Sequence, residues 1–275
     1  MPGTLFLVGT PIGNLGDISP RALETLRTAD FIAAEDTRVT VKLLNHFEIK
    51  KPLVSYYEHN RASSGARILE RLLAGESCAL VTDAGMPAIS DPGEDIVRQC
   101  AEAGVPVLAV PGPSAVVTAL AVSGLPTGRF TFEGFLSVTK KSRFEHLDSL
   151  RGEKRTMVFY EAPHKLERTL RDMLEVFGDR RIALCREMTK LHEECVRTTL
   201  AEALRSCETE PPRGEYVLVL AGAADEPAEQ LTPEKALSAV EAYRAAGNSL
   251  REACRLAAEE TGYSKNELYT LAVRQ

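Results

Sequence analysis

The 275-residue sequence lacks any run approaching 18 uninterrupted apolar residues, so nothing in it reads as a membrane-spanning helix. Its N-terminal stretch MPGTLFLVGTPIGNL lacks a cationic leader and soon reaches glycine and proline, which predicts a buried strand rather than a signal peptide. An excess of positive charge is also missing. Lys and Arg total 33 against 39 Asp and Glu, net −6, which excludes a globally basic nucleic-acid sleeve but not a local basic patch. The six cysteines (Cys78, Cys100, Cys185, Cys195, Cys207, Cys254) include no CxxC pair, and several stand in apolar runs such as SCALVTD and RIALCRE. That argues against a disulfide or zinc framework and for reduced core thiols in a cytoplasmic protein. His192 and Cys195 stand at helical spacing in HEEC, but two ligands do not make a metal site, and no metal is expected. The spacing Gly9, Gly13, Gly16 does not match GxGxxG. Neither GxxxxGK[ST] nor GxSxG occurs, which removes the P-loop and the nucleophile-elbow hydrolase.

What is present is a globular composition, 44% apolar and 26% charged, in which short apolar runs alternate with helical patterns. Strands are expected at 3–9, 30–36, 52–57, 77–85 and 105–112, with helices between them, an alternation that implies a largely parallel sheet covered by helices. Ser19 followed by Pro20 marks the first helix start. The small apolar run PSAVVTALAV (113–122) suits a closely packed helix, and GLPTGRFTFEGFL then changes to an aromatic, alternating strand. A second α/β unit follows, with strands at 155–163, 181–188 and 214–222. The acidic stretch AADEPAEQLTPE (223–234) reads as a linker, and helices at 234–246, 249–261 and 264–274 make a small all-α module. The expected domains are therefore 1–122, 123–222 and 232–275.

Open α/β sheets bind ligands beyond the carboxyl ends of their strands. The segments there are GTPIGNLG, EDTR, DAGMPAISDPG and PGPSA, three of which hold both glycine and proline. Such loops present main-chain groups to a small ligand, although ordinary turn chemistry explains any one of them. Glu35, Asp36 and Arg38 cluster after the second strand. Two carboxylates beside an arginine are candidate catalytic groups, Asp36 or Glu35 as proton acceptor, or Asp36 and Arg38 merely shape the loop. His164 is a further candidate base near neutral pH, although a histidine at a helix start is more often structural. Residues 137–190 hold 13 Lys/Arg and 9 Asp/Glu. The leading part, SVTKKSRFEH, reads as a basic loop in which Lys140, Lys141 and Arg143 contact RNA phosphates or simply face solvent. The last two helices look like a helix-turn-helix capped by Ser264, suited to RNA through Lys265, Asn266 and Tyr269 or to dimer packing.

Taken together, GTPIGNLGDIS, AAEDTR, TDAGMPAISDPG, PGPSA, FYEAPH and REMTKLHEE resemble the tetrapyrrole-methylase superfamily, over roughly residues 3–222 with a further match in the C-terminal module. More closely, these motifs resemble its bacterial branch that methylates a cytidine ribose 2′-OH in the decoding region of 16S rRNA. That resemblance implies two α/β domains with S-adenosylmethionine in the cleft between them, no metal, a homodimer, and the small ribosomal subunit as partner. By motif it assigns donor contacts to Pro11, Asp83, Ala84, Gly85, Ala88, Ser114, Ala115, Glu161 and Met188. The aspartate stands first in its glycine-containing loop rather than last, which bears on any Asp83 side-chain contact. Two rival readings stay open: a tetrapyrrole methyltransferase of the same fold, and a non-catalytic nucleotide-binding or ribosome-associated adaptor.

Overall fold

A computed structural model describes residues 1–224 and 232–273. The chain divides into two compact units, Met1–Ala223 and Ala224–Gln275. Most of the expected linker, residues 225–231, lies outside the described residues.

The first unit opens with β1 (Leu5–Val8), α1 (Pro20–Thr28), β2 (Phe31–Ala34), α2 (Thr37–His46), β3 (Leu53–Ser55), α3 (Arg61–Leu73), β4 (Cys78–Val81), α4 (Glu94–Glu102) and β5 (Val107–Val110). All pairings are parallel, in the order β3-β2-β4-β1-β5. Ser19 Oγ accepts from the Ala22 N–H at 3.0 Å and Pro20 fills the first helical position, so α1 starts where its sequence signals stand. β2 and β4 are buried at every residue because helices cover both faces. Ala22, Leu26 and Leu44 of α1 and α2 pack on one face, and Ile68, Leu72, Ile96 and Cys100 of α3 and α4 on the other. The chain thus leaves β1 over one face and β4 over the other. That opens a crevice at the carboxyl ends of two adjacent strands, where sheets of this kind bind ligands.

α5 (Ala115–Val122) leads to β6 (Phe130–Phe135), α6 (Lys140–Ser149), β7 (Thr156–Glu161), α7 (Pro163–Phe177), β8 (Arg181–Arg186), β9 (Glu194–Thr199), α8 (Leu200–Thr209) and β10 (Tyr216–Leu220). The second sheet has the order β6-β7-β10-β8-β9, and only β6–β7 is parallel. One face packs against α6, α7 and α8 through Leu147, Leu166, Leu170 and Leu200. The other receives the small residues of α5, with Val116, Ala119 and Leu120 against Val158, Cys185 and Val217.

Two expectations from this region are corrected. The segment SVTKKSRFEH is not a basic loop, because Lys140–Ser149 is helical. HEEC is not helical, because Glu194–Thr199 pairs antiparallel with β8, setting Cys195 opposite Cys185 with sulfurs 3.3 Å apart. Its residues Val196, Thr198 and Thr199 suit a strand, and the partner strand supplies the hydrogen bonds.

The second unit holds α9 (Pro233–Ala245), α10 (Leu250–Thr261) and α11 (Lys265–Val273) around Ala236, Val240, Ala253, Cys254, Ala257 and Leu268. Gly262 ends α10 in the left-handed conformation. Ser264 and Glu267 form a reciprocal capping box, with Glu267 N donating to Ser264 Oγ at 3.3 Å and Ser264 N to Glu267 Oε2 at 2.8 Å. Lys265, Asn266 and Tyr269 are exposed on α11. Among the described residues, no helix is long and apolar enough to cross a membrane.

Candidate active site

The loops after β1, β4 and β5 are knitted by main-chain contacts. Thr10 and Gly85 exchange N–H···O bonds of 2.9 and 3.2 Å, and Thr10 Oγ1 donates to the Thr82 carbonyl at 3.2 Å. Gly9 N donates to the Val110 carbonyl. A Cβ on Gly9 would stand 2.7 Å from Gly112 Cα and from Met86 Sδ, so only glycine lets these strands' ends approach so closely. On the second sheet, Lys190 Nζ bridges Glu187 Oε1 and Glu215 Oε2, both at 3.0 Å, and holds the loop after β8 against β10.

These loops enclose a cavity of about 620 Å³, within the range usual for small-molecule sites. Of the residues singled out from sequence, Glu35, Asp83, Ala84, Gly85, Ser114, Ala115, Glu161 and Met188 line it together. Pro11 and Ala88 do not line it, although their neighbours Ile12 and Ile89 do. Residues held in the left-handed backbone region cluster at this cavity: Ala88 and Ser90 in one loop, Glu187 and Thr189 in another. Such conformations cost on the order of 1–3 kcal/mol each and persist where surrounding structure enforces them.

Carboxylates dominate one wall. Thr82 Oγ1 donates to Glu35 Oε2 at 2.5 Å. Asp91, on the same wall, has its pKa pushed up to about 6 by burial and then by the charge of Glu35, against a hydrogen bond from Thr82. Burial and Glu35 likewise raise Asp83. Glu161 is buried and accepts from the Ala162 N–H at 2.9 Å and from Thr169 Oγ1 at 2.5 Å. The Ser114 side chain makes no capping bond to the first turn of α5, and Ser114 and Ala115 line the cavity.

Other expected site residues are elsewhere. Asp36 does not line the cavity. Its carboxylate caps α2 through Arg38 N at 2.8 Å and pairs with the Arg38 guanidinium at 2.6 Å, and those bonds hold its pKa down to about 2. A carboxylate so occupied is a poor proton acceptor, so Asp36 as base is corrected to a loop-shaping residue. Arg38 points to solvent from that pair. His164 is exposed in the first turn of α7 and does not line the cavity, although its neighbours Ala162 and Pro163 do. Arg143 is also corrected: it is buried, its Nε donates to Asp172 at 2.6 Å and its Nη1 to the carbonyls of Ser137 and Val138. Lys140 and Lys141 remain exposed at the start of α6. Asp91, Thr82, Phe135 and Tyr160 were missed. Asp91 stands inside DAGMPAISDPG and Tyr160 inside FYEAPH, but nothing local tells which polar residue of a motif turns inward. Among the described residues, no group of three or more His, Cys, Asp or Glu is arranged to hold a metal.

Two sheets that close glycine-containing loops over one cavity with a carboxylate-rich wall define a two-lobed α/β ligand-binding protein. The family model described as Tetrapyrrole (Corrin/Porphyrin) Methylases matches residues 4–204, and the chain belongs to that family. A Synechocystis sp. protein named ribosomal RNA small subunit methyltransferase I is 47% identical over 272 residues, covering 98% of each chain. A Thermotoga maritima protein of the same name is 52% identical over 220 residues, 80% of this chain and 99% of its own. Among solved structures, uroporphyrin-III-C-methyltransferase from Thermus thermophilus superposes with a TM-score of 0.54 at 22% identity, over 79% of this chain and 94% of that one, a likeness of fold.

Proposed function

We propose that this chain is an S-adenosylmethionine-dependent methyltransferase that acts in the cytoplasm on 16S rRNA of the small ribosomal subunit, methylating a cytidine ribose 2′-oxygen. The observation that carries the reading is 47% identity over 98% of each chain to a relative bearing that enzyme name, joined to a cavity built from this chain's strand-end loops. The residues present fit the donor: apolar Ile12, Ala84, Ala115 and Met188 offer contact surface, and the N-terminus of α5, where Ser114 makes no side-chain cap, suits a carboxylate. Asp83, Gly85, Ser114 and Glu161 complete the proposed donor set, with Pro11 and Ala88 shaping the loops that carry the lining residues Ile12 and Ile89. Bound there, S-adenosylmethionine supplies an electrophilic methyl group.

Methyl transfer of this kind is an in-line displacement in which alignment contributes ~7–11 kcal/mol. The chain's own part is to hold the acceptor oxygen and take its proton. Asp91, poised near pH 6 by burial and the neighbouring charge of Glu35, is the proposed proton acceptor, while Glu35 is held by the Thr82 hydroxyl. The acidic wall repels phosphate and accepts from hydroxyls and amines, which favours a sugar or base end in the cavity. Phosphates would be held outside it. Lys140 and Lys141 sit in the first helical turn of α6, where the helix dipole disfavours cations, and a phosphate there would satisfy both. Exposed Leu108, Val117, Val122 and Phe130 support a homodimer, which sedimentation analysis tests.

The deciding experiment offers tritiated S-adenosylmethionine with unmethylated small subunits or with uroporphyrinogen. Label in 16S rRNA, mapped to one ribose, is expected. Label in the tetrapyrrole alone would establish the rival substrate. Label in neither, despite donor binding by calorimetry, would point to a non-catalytic adaptor.

A further inference from the structure

Phe135 closes β6 as an aromatic residue without cover: it is 58% exposed, yet it lines the cavity. Its direction comes from an irregularity in the strand. β6 runs beside β7 with Phe132 opposite Val158, but Gly134 stands opposite Phe159 and Phe135 opposite Tyr160, so one extra residue is inserted at Glu133. Alternation would put Phe132 and Phe135, three positions apart, on opposite faces. The bulge returns them to the same face, and Gly134 accommodates it at φ +63°. Without it, Phe135 would turn toward the face where Met157 and Phe159 pack against Leu166 of α7. Instead, the rings of Phe132 and Phe135 flank Tyr160 at centroid distances of 5.1 and 5.3 Å. Ser90 Oγ lies 3.4 Å from where a Cβ of Gly134 would be, so the 88–91 loop closes on the same spot. An exposed ring braced from behind by a second ring, beside groups that accept hydrogen bonds, is how proteins hold an unstacked nucleobase.

Resting on the rRNA reading above, we propose that Phe135 is the stacking platform for the base of the acceptor nucleotide, aimed into the cavity by the bulge at Glu133–Gly134. The base lies on the solvent face of the ring, and its ribose reaches the wall of Asp91 and Glu35. Phe135 is a positioning residue; it takes no part in proton transfer.

The test compares Phe135→Ala, Phe135→Leu and Phe135→Trp, using unmethylated small ribosomal subunits and tritiated S-adenosylmethionine. All three should fold, because the side chain is exposed; melting curves check this. Loss of one base–aromatic stack is expected to lower kcat/KM for subunits about 5- to 150-fold in the Ala and Leu variants. Trp should stay within about threefold of wild type, and S-adenosylmethionine affinity by calorimetry should be unchanged in all. An Ala variant with wild-type kcat/KM overturns the proposal while leaving the rRNA reading intact, as does a Leu variant equal to Trp. Wild-type enzyme that labels uroporphyrinogen and not subunits overturns the reading and the proposal together.

Discussion

Replacement of Arg143 by alanine separates a structural cation from an RNA-binding one. In its α6 setting, Arg143 is 4% exposed at the side chain and its partner Asp172 is 10% exposed, with 2.6 Å between Nε and Oδ2. Two further bonds of 3.0 Å tie Nη1 to the carbonyls of Ser137 and Val138, so the guanidinium staples the turn before α6 onto α7. Alanine would leave the Asp172 carboxylate buried without its cation, which typically costs about 3–5 kcal/mol. For a unit of this size, each kcal/mol moves Tm by about 2–4 °C, so a fall of roughly 6–20 °C is expected. Arg143→Met with Asp172→Leu removes both charges at similar volume and should recover most of that loss. A deficit of about 1 kcal/mol per unpaired carbonyl should remain. The assay is differential scanning calorimetry of the three proteins, beside RNA-binding titrations from 50 to 300 mM salt. A phosphate-contacting Arg143 would instead leave Tm unchanged and lower the log–log salt slope by about one unit. Arg143→Ala melting within 2 °C of wild type would refute the buried-staple argument.

Exposed Lys140 and Lys141 should behave oppositely: their double alanine variant keeps its Tm and loses up to about two units of salt slope, and an unchanged slope removes them from the RNA footprint. Asp91 titrates near pH 6 in the fold against 3.8 unfolded, so its protonation stabilises the protein fully below about pH 4 and that contribution is lost as pH rises through 6. Asp91→Asn should therefore match wild type in stability at pH 4 and exceed it at pH 8 by about 1–2 kcal/mol, the full shift being discounted for solvent screening at this half-exposed carboxylate. Its single-turnover rate at pH 7.5 should fall about 10²–10⁴-fold; an unaltered rate removes Asp91 as proton acceptor. Asp36→Asn, by contrast, keeps the helix cap and should leave the single-turnover rate within about threefold, since Asp36 stands outside the cavity. Gly9→Ala forces apart loops now 2.7 Å from its added carbon, which should lower stability by about 1–3 kcal/mol and weaken donor binding in calorimetric titration.

The sequence alone determined the elements of the first sheet, because their signals are local. Continuous apolar runs such as DFIAA and CALV mark strands buried on both faces, Ser19–Pro20 marks a helix start, and glycine with proline marks the loops at the strand ends. It also carried the motifs that place Glu35, Asp83, Gly85, Ser114 and Glu161 around one cavity. What it did not determine depends on partners remote in the chain. Arg143 reads as one more cation of a basic segment until Asp172, 29 residues on, is folded against it. HEEC has helical spacing until β8 offers hydrogen bonds to the residues beginning at Glu194. Within AAEDTR and DAGMPAISDPG, side-chain type cannot tell the carboxylate that caps a helix, Asp36, from the one that burial and Glu35 raise toward neutrality, Asp91. A single inserted residue in β6 reverses which face Phe135 occupies, and only pairing with β7 reveals it. Local periodicity fixes what an element is; which of its side chains are buried, paired or turned into a cavity is an energy that arises only when distant elements pack.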